Sequence, residues 1–371
     1  MIPQFPKLLI FILFTSALTV KGQLRNEIFS QNDSLTPNDT QTIKLHIESL
    51  NFLRNTEYFD IIEDGQTYFG ILLQAHLSYQ PYKNVLIKGG IQAQQDYGSN
   101  RLRNINPVFS VSIFKDKWRH NFGMLQGTTN LGLIEPMYNI DRAITNRVEN
   151  GIQSIYKNRH TTFTNWLVWF EPTYRLASNQ EQFNTGFNWN KSIFHNNTWS
   201  ITFPLQATLV HRGGQINETP VPIYSRLNLT TGAKIGWQLS PKFSVRTEHY
   251  YLHSEDFSPT ITQPYKNGNA SWHTLAFKYN KLELMFNYWA AREWQSPMGT
   301  HIYNSYNAYD IYKYRQVRHM LMARVLYYTK IKENLQLDLR LEPFYDYEYK
   351  FFQYSYSVYL RWNFTKALGK I

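Results

Sequence analysis

Cysteine is absent from the 371 residues. That absence excludes disulfide scaffolds, thiolate metal sites, cysteine nucleophiles and lipid attachment through a thiol, so a chain of this kind must close its structure in another way. After the first 22 residues the sequence also lacks any apolar run approaching the roughly 20 residues that a helical membrane span needs, and its mean hydropathy is negative. Clustered charge is missing as well. The 38 Lys and Arg residues against 27 Asp and Glu give a net charge of +11, but they are scattered rather than gathered into a patch or stripe, which speaks against a nucleic-acid partner.

Aromatic residues are abundant instead. Tyr 27, Phe 24 and Trp 10 make up 16% of the chain, more than the Leu, Val, Ile and Ala of an ordinary soluble core would leave room for. Rings with a polar handle suit a surface that is apolar at one level and wet at the next. Lys7 precedes the apolar run LLIFILFTSALTV, and Gly22 offers a cleavage point before Gln23, the layout of a secretory signal peptide over residues 1–22. Residues 23–42 are polar and aperiodic and read as a flexible periplasmic lead-in.

From residue 43 to 364 the chain alternates in polarity in sixteen segments separated by turn signals. The last of these, FFQYSYSVYLRWNF at 351–364, sets Tyr354, Tyr356, Val358, Leu360, Trp362 and Phe364 on one parity. Gln353, Ser355, Ser357, Arg361 and Asn363 fall on the other, with Tyr359 the one aromatic among them. Leu335, Leu337, Leu339 and Leu341 oppose Gln336, Asp338, Arg340 and Glu342 in the same way. The connections come in two alternating sizes: tight ones such as KDK, HNN, SPK and NK, and long ones at 127–149, 211–224, 254–269 and 292–315. This pattern predicts an all-β fold, a transmembrane antiparallel up-and-down β-barrel of about sixteen strands over 43–364, followed by a tail at 365–371. A soluble sandwich or propeller also alternates faces. The segment TNWLVWFEP, apolar on both parities, leaves the register of strands five to seven open.

The chain resembles a Gram-negative outer-membrane β-barrel of the porin type, on signal peptide, strand rhythm, loop asymmetry and aromatic terminal strand rather than on a family-specific motif. Such barrels usually end on an aromatic residue that the assembly machinery reads; here TKALGKI follows Phe364 and displaces that signal. The resemblance implies location in the outer membrane, contact with outer-membrane lipid and lipopolysaccharide, handling by the barrel-assembly machinery, and compatibility with a homo-oligomer. It also implies passive diffusion of small hydrophilic solutes, with no cofactor and no metal.

In the ten strands of readable parity the inward set contains Lys88, Arg226, Lys234, Arg246, Arg318, Arg324, Arg340 and Arg361 against Glu248, Glu283, Asp338 and Glu342, a lumen tilted to positive and to mild anion preference. By the same resemblance the third outside loop folds inward. Glu135, Asp141 and Glu149 then face the basic wall, Arg142 and Arg147 pair locally, and Ile140, Ile144 and Val148 mark a helical turn.

Catalysis finds little support at this level. His120, His160, His211, His249, His253, His301 and His319 are spread over many strands, with no spacing that brings one to a chosen serine. HRGGQ at 211–215 is too short and Gly-poor to cradle phosphate, and no HExxH motif occurs. The expectation is a non-enzymatic protein. Tyr-, Asn- and Trp-rich loops that grip surface polysaccharide are the first alternative, and a barrel hydrolase the second.

Overall fold

The computed structural model describes residues 26–31, 34–127, 131–214, 219–307 and 309–371; the expected signal peptide, residues 1–22, lies outside the described residues. Alternating polarity sustained over such runs is satisfied by extended chain, because successive side chains of a strand point to opposite faces. The strands are β1 (Thr42–Glu57), β2 (Thr67–Tyr82), β3 (Val85–Asp96), β4 (Asn104–Lys115), β5 (Trp118–Met124), β6 (Asn150–Lys157), β7 (Thr161–Glu171) and β8 (Gln182–His195). They continue with β9 (Trp199–Arg212), β10 (Tyr224–Ser240), β11 (Phe243–Asp256), β12 (Asn267–Tyr279), β13 (Leu282–Arg292), β14 (Val317–Lys332), β15 (Leu335–Asp346) and β16 (Phe351–Lys370).

Each strand pairs antiparallel with its sequence neighbours, and β1 pairs with β16 from Thr42↔Lys370 to Glu57↔Tyr354, closing the barrel. Closure gives every ladder group a partner, which hydrocarbon demands because it offers none of its own. The tight turns have matching chemistry: in the two-residue turn between β12 and β13, Asn280 adopts φ 54°, a left-handed conformation that Asn tolerates better than most residues. The wall's two faces separate cleanly. On β16, Tyr356 and Val358 are each 39% exposed, whereas Gln353, Ser355, Ser357 and Tyr359 on the other parity are at most 2% exposed.

Two expected segments differ. Residues 365–371 are not a tail: β16 runs through Lys370, because the ladder with the first residues of β1 offers those backbone groups partners. Residues 26–31 are not a flexible lead-in but lie inside the barrel. Ile28 and Phe29 are apolar and find cover there: Phe29 meets Tyr359 edge-on at 4.8 Å, Arg340 Nη1 donates to Asn26 Oδ1 at 3.0 Å, and Arg361 Nη1 donates to the Ile28 carbonyl at 3.3 Å.

The interior is packed. The segment between β5 and β6, which carries the one-turn helix α1 (Arg142–Thr145), and the segment between β13 and β14 both fold into the barrel. Leu133, Met137, Tyr138, Trp294, Met298 and Tyr303 from these segments join Trp166, Trp272, Trp289 and Met320 of the wall in one buried cluster. Edge-on aromatic pairs knit it, Trp272 to Tyr303 at 5.1 Å and Trp289 to Trp294 at 5.9 Å. A second buried cluster joins Ile28 and Phe29 to Leu50, Phe52, Ile144, Tyr328 and Tyr359.

Candidate functional site

The twelve charged residues read as lumen-facing all lie on the inward parity of their strands, ten of them buried and Lys234 and Glu342 half-buried. Each of the six arginines among them meets a carboxylate. Arg226 reaches Asp256 at 3.0 Å, Arg246 joins Glu248 at 2.9 Å and also Glu283, and Arg340 reaches Asp338 at 2.8 Å. Arg318 joins Asp346 and approaches Asp60 at 3.4 Å, Arg361 binds Glu48 at 2.6 Å, and Lys234 Nζ donates to Asn190 Oδ1 at 3.0 Å. Lys88 is 2% exposed. Sequence reasoning missed Glu48, Arg54, Asp60, Asp256 and Asp346, which sit in β1, in a loop or at strand ends where parity alone carries no signal.

The inward segment between β5 and β6 is held by the same kind of contact. Arg324 donates to both carboxylate oxygens of Glu135 at 2.7 and 2.6 Å, and Tyr303 Oη donates to Glu135 Oε2 at 2.8 Å. Asp141 pairs with Arg54 of the wall. Arg142 pairs locally with Glu149 at 2.7 Å, whereas Arg147, expected to pair locally as well, reaches Glu48 on β1 because its guanidinium faces the wall rather than the loop. Burial raises the Tyr138 phenol well above its ordinary value and the Glu149 carboxylate adds to the rise, so the hydroxyl stays protonated and donates to Glu149. The space left between Arg54, Glu135, Arg324 and Glu342 is about 20 Å³, room for about one water.

Chemistry of another kind lies on the outward face. His211 at the end of β9 and Ser225 at the start of β10 are direct cross-strand partners, and Ser225 Oγ is 2.7 Å from His211 Nδ1. His211 Nε2 stands 3.0 Å from the Gly213 carbonyl oxygen. A carbonyl only accepts, so Nε2 carries the ring proton and Nδ1 accepts from the serine hydroxyl. This is a hydroxyl activated by a neutral imidazole whose other nitrogen is fixed, the arrangement of a nucleophile and its base. Gly213 makes it possible: its φ of 117° bends the chain back toward the ring, and a Cβ there would stand 2.8 Å from Ile223 Cγ1. Phe183 of β8 packs on the imidazole at 5.0 Å and Trp169 stacks on Phe183 at 5.2 Å, so the ring is also braced from the side.

Depth distinguishes this pair from a second outward cluster. Ser225 and Trp237 are twelve positions apart on β10. At about 3.3 Å per residue and a tilt near 40° that is about 30 Å of height, the thickness of a bilayer's hydrocarbon. Trp237 stacks on Trp199 at 5.1 Å in the periplasmic girdle, so Ser225 lies at the outer interface. The other cluster is Thr247, His249 and His273, linked at 2.9 Å from Thr247 Oγ1 to His249 Nε2 and at 2.9 Å from His249 Nδ1 to His273 Nδ1. His249 pairs with Ala233, eight positions below Ser225, which is about 20 Å deeper in the wall. A further outward pair, His120 and Ser154 at 2.9 Å, lies beside the tight turn between β4 and β5 at the periplasmic end. Among the outward serine–histidine and threonine–histidine contacts of the described residues, the Ser225–His211 pair is the one that stands where an outer-leaflet lipid joins its headgroup to its acyl chains.

A closed sixteen-strand barrel with an apolar outer band and aromatic girdles is an outer-membrane β-barrel. This chain belongs to the lipid A 3'-O-deacylase-type family, which it matches over residues 35–371. Membership of an enzyme family overturns the expectation of a non-enzymatic protein. That expectation weighed histidines by sequence spacing, whereas strand pairing brings His211 to Ser225 across a long outside loop. In fold, the chain is similar to the outer-membrane protein OprD from Pseudomonas aeruginosa, with TM-score 0.52, 10% identity and coverage of 91% of this chain and 98% of that one. It is likewise similar to OmpT, an outer-membrane protein of Vibrio cholerae described in a trimer form, with TM-score 0.50, 7% identity and coverage of 87% and 99%. No curated protein sequence matches the chain.

Proposed function

We propose that the protein is an acyl-ester hydrolase of the outer leaflet that releases a 3'-O-linked acyl chain from lipid A, with Ser225 as nucleophile and His211 as general base. The observation that carries this reading is the 2.7 Å Ser225–His211 hydrogen bond on the lipid-facing wall at the outer rim, in a chain of the lipid A 3'-O-deacylase-type family.

Ser225 Oγ attacks the ester carbonyl carbon while His211 Nδ1 takes the hydroxyl proton. The tetrahedral intermediate expels the sugar oxygen, which leaves as a hydroxyl with the proton from the imidazolium, and the acyl chain stays on Ser225. Water then attacks the acyl-serine, His211 takes its proton and returns it to Ser225 Oγ, and the fatty acid departs. The apolar outward side chains below Ser225, Leu227 and Leu229 on the same strand and Leu209 beside them, offer the acyl chain a track along the wall.

Purified protein incubated with lipid A in mixed micelles is expected to release one acyl chain, read as a mass loss on the lipid and as free fatty acid. Ser225→Ala and His211→Ala each lower the rate by about a thousandfold or more while the folded, heat-modifiable band persists. Either variant hydrolysing at the parent rate overturns the assignment.

The second reading is a channel for small hydrophilic solutes with mild anion preference, supported by the sixteen-strand architecture and the arginine-rich inner wall. The buried ion pairs and packed core weigh against it. Steady single-channel steps in planar bilayers favour the channel, and silence at every voltage favours the hydrolase.

A further inference from the structure

The Ser225–His211 pair has the Gly213 carbonyl on its far side, and a carboxylate stands against the residue that follows, Gly214. Glu181 immediately precedes β8, and its register is fixed by its neighbours: Phe183 pairs with His211, Gln182 pairs with Arg212, and the Gly213 N–H donates to the Glu181 carbonyl at 3.0 Å. By strand alternation its side chain shares the outward parity of Phe183 and His211. Its carboxylate lies against the next glycine. A Cβ on Gly214 would stand 3.0 Å from Glu181 Cδ and overlap Oε1, so Gly214 keeps this space open for the acid. Among the described residues no hydrogen bond or ion pair holds that carboxylate.

We infer that Glu181 is the third member of the site, a positioning residue that acts through His211; the inference rests on the hydrolase reading. When Nδ1 takes the serine proton the imidazole becomes a cation at the edge of a low-dielectric layer, where a nearby carboxylate counts for more than it does in open water. The Gly213 carbonyl fixes the tautomer, and the Glu181 carboxylate stabilises the charge.

The other charged side chains of these strand ends have their own places: Glu255 of β11 lies 3.5 Å from His253, and Glu171 ends β7 opposite Gln182. Arg212 faces inward over the Tyr224 ring at 5.8 Å, and Arg226 and Asp256 pair with each other inside the barrel. Ser225, Phe183 and Trp169, which complete the surroundings of His211 on β10, β8 and β7, carry no charge at neutral pH.

The experiment measures hydrolysis of lipid A in mixed micelles by the folded parent, Glu181→Gln, Glu181→Asp and Ser225→Ala, across pH. Glu181→Gln is expected to lower kcat tenfold to a hundredfold with KM unchanged. It also moves the acidic limb of the kcat/KM profile to lower pH, since loss of the carboxylate makes the imidazolium less stable and the base weaker. Glu181→Asp recovers part of the rate. A parent-like kcat and profile for Glu181→Gln beside an inactive Ser225→Ala overturns the role of Glu181 and leaves the Ser225–His211 pair standing. An active Ser225→Ala overturns both.

Discussion

Replacing Glu135 by alanine tests whether the inward segment between β5 and β6 is anchored by charge. Glu135 accepts two hydrogen bonds from Arg324, at 2.7 and 2.6 Å, and one from Tyr303 at 2.8 Å. Arg324 is 4% exposed, and the other carboxylate near it, Glu342, is 4.0 Å away. Removing one partner of a buried pair costs about 3–5 kcal/mol, because the remaining charge stays out of water. Glu342 offsets part of that, so the expected loss is about 3 kcal/mol, or roughly a hundredfold in the ratio of folded to unfolded barrel. A pair of neutral groups would give only about 1 kcal/mol. The assay is urea unfolding of the refolded barrel in detergent, followed by tryptophan fluorescence, with heat modifiability as a second probe. Glu135→Ala combined with Arg324→Leu removes the stranded charge and is expected to be more stable than Glu135→Ala alone. A Glu135→Ala barrel within about 0.5 kcal/mol of the parent, or a double variant no better than the single one, refutes the reasoning.

A cysteine at Leu341 or Val358 is expected to react with a lipid-soluble maleimide, whereas one at Ser357 stays unlabelled by aqueous reagents until the barrel is unfolded; ready aqueous labelling at Ser357 indicates a wet interior. Asp256→Ala strands Arg226, which like its partner is 0% exposed at the side chain, and lowers the urea midpoint by the equivalent of about 3 kcal/mol; an unchanged midpoint shows that the Tyr265 carbonyl suffices for the guanidinium. Deleting residues 131–147 removes Leu133, Met137 and Tyr138 from the core and is expected to raise bilayer conductance above that of the parent. A folded deletion variant with the parent's conductance means that the segment between β13 and β14 seals the barrel by itself.

The wall was legible because hydrocarbon and interior impose opposite demands on alternate residues. Leu335 to Leu341 and the even positions of 354–364 declare the lipid face without any partner being known. Strands β5 to β7 resisted for a reason that the structure supplies. Trp166 and Val168 point inward yet are apolar, since they pack against Leu131, Leu133 and Met137 rather than water, so both parities of β7 look the same. The end of β16 was misread because Phe364 resembles a terminal aromatic, although the ladder to β1 continues past it. The Ser225–His211 pair left no local trace. Its two members are fourteen positions apart in sequence, and only the β9–β10 register makes them neighbours. A signal was nevertheless present: Ser225 and His211 are polar residues on the outward parity of strands whose outward neighbours are leucines.

The residues that enter the barrel ahead of β1 bear on how the ring is completed. The pairing of β1 with β16 joins positions roughly 300 residues apart, from Thr42↔Lys370 to Glu57↔Tyr354, and a join between such distant parts carries the largest loop-closure cost in the chain. Phe29 against Tyr359 and the Ile28 carbonyl against Arg361 bind the chain to the inner side of β16 about a dozen residues ahead of β1. Once those contacts form, the last pairing closes a short tether instead of a 300-residue loop. The N-terminal segment thus acts as a clasp at the seam, and cutting it away would slow completion of the ring more than it weakens the ring once complete.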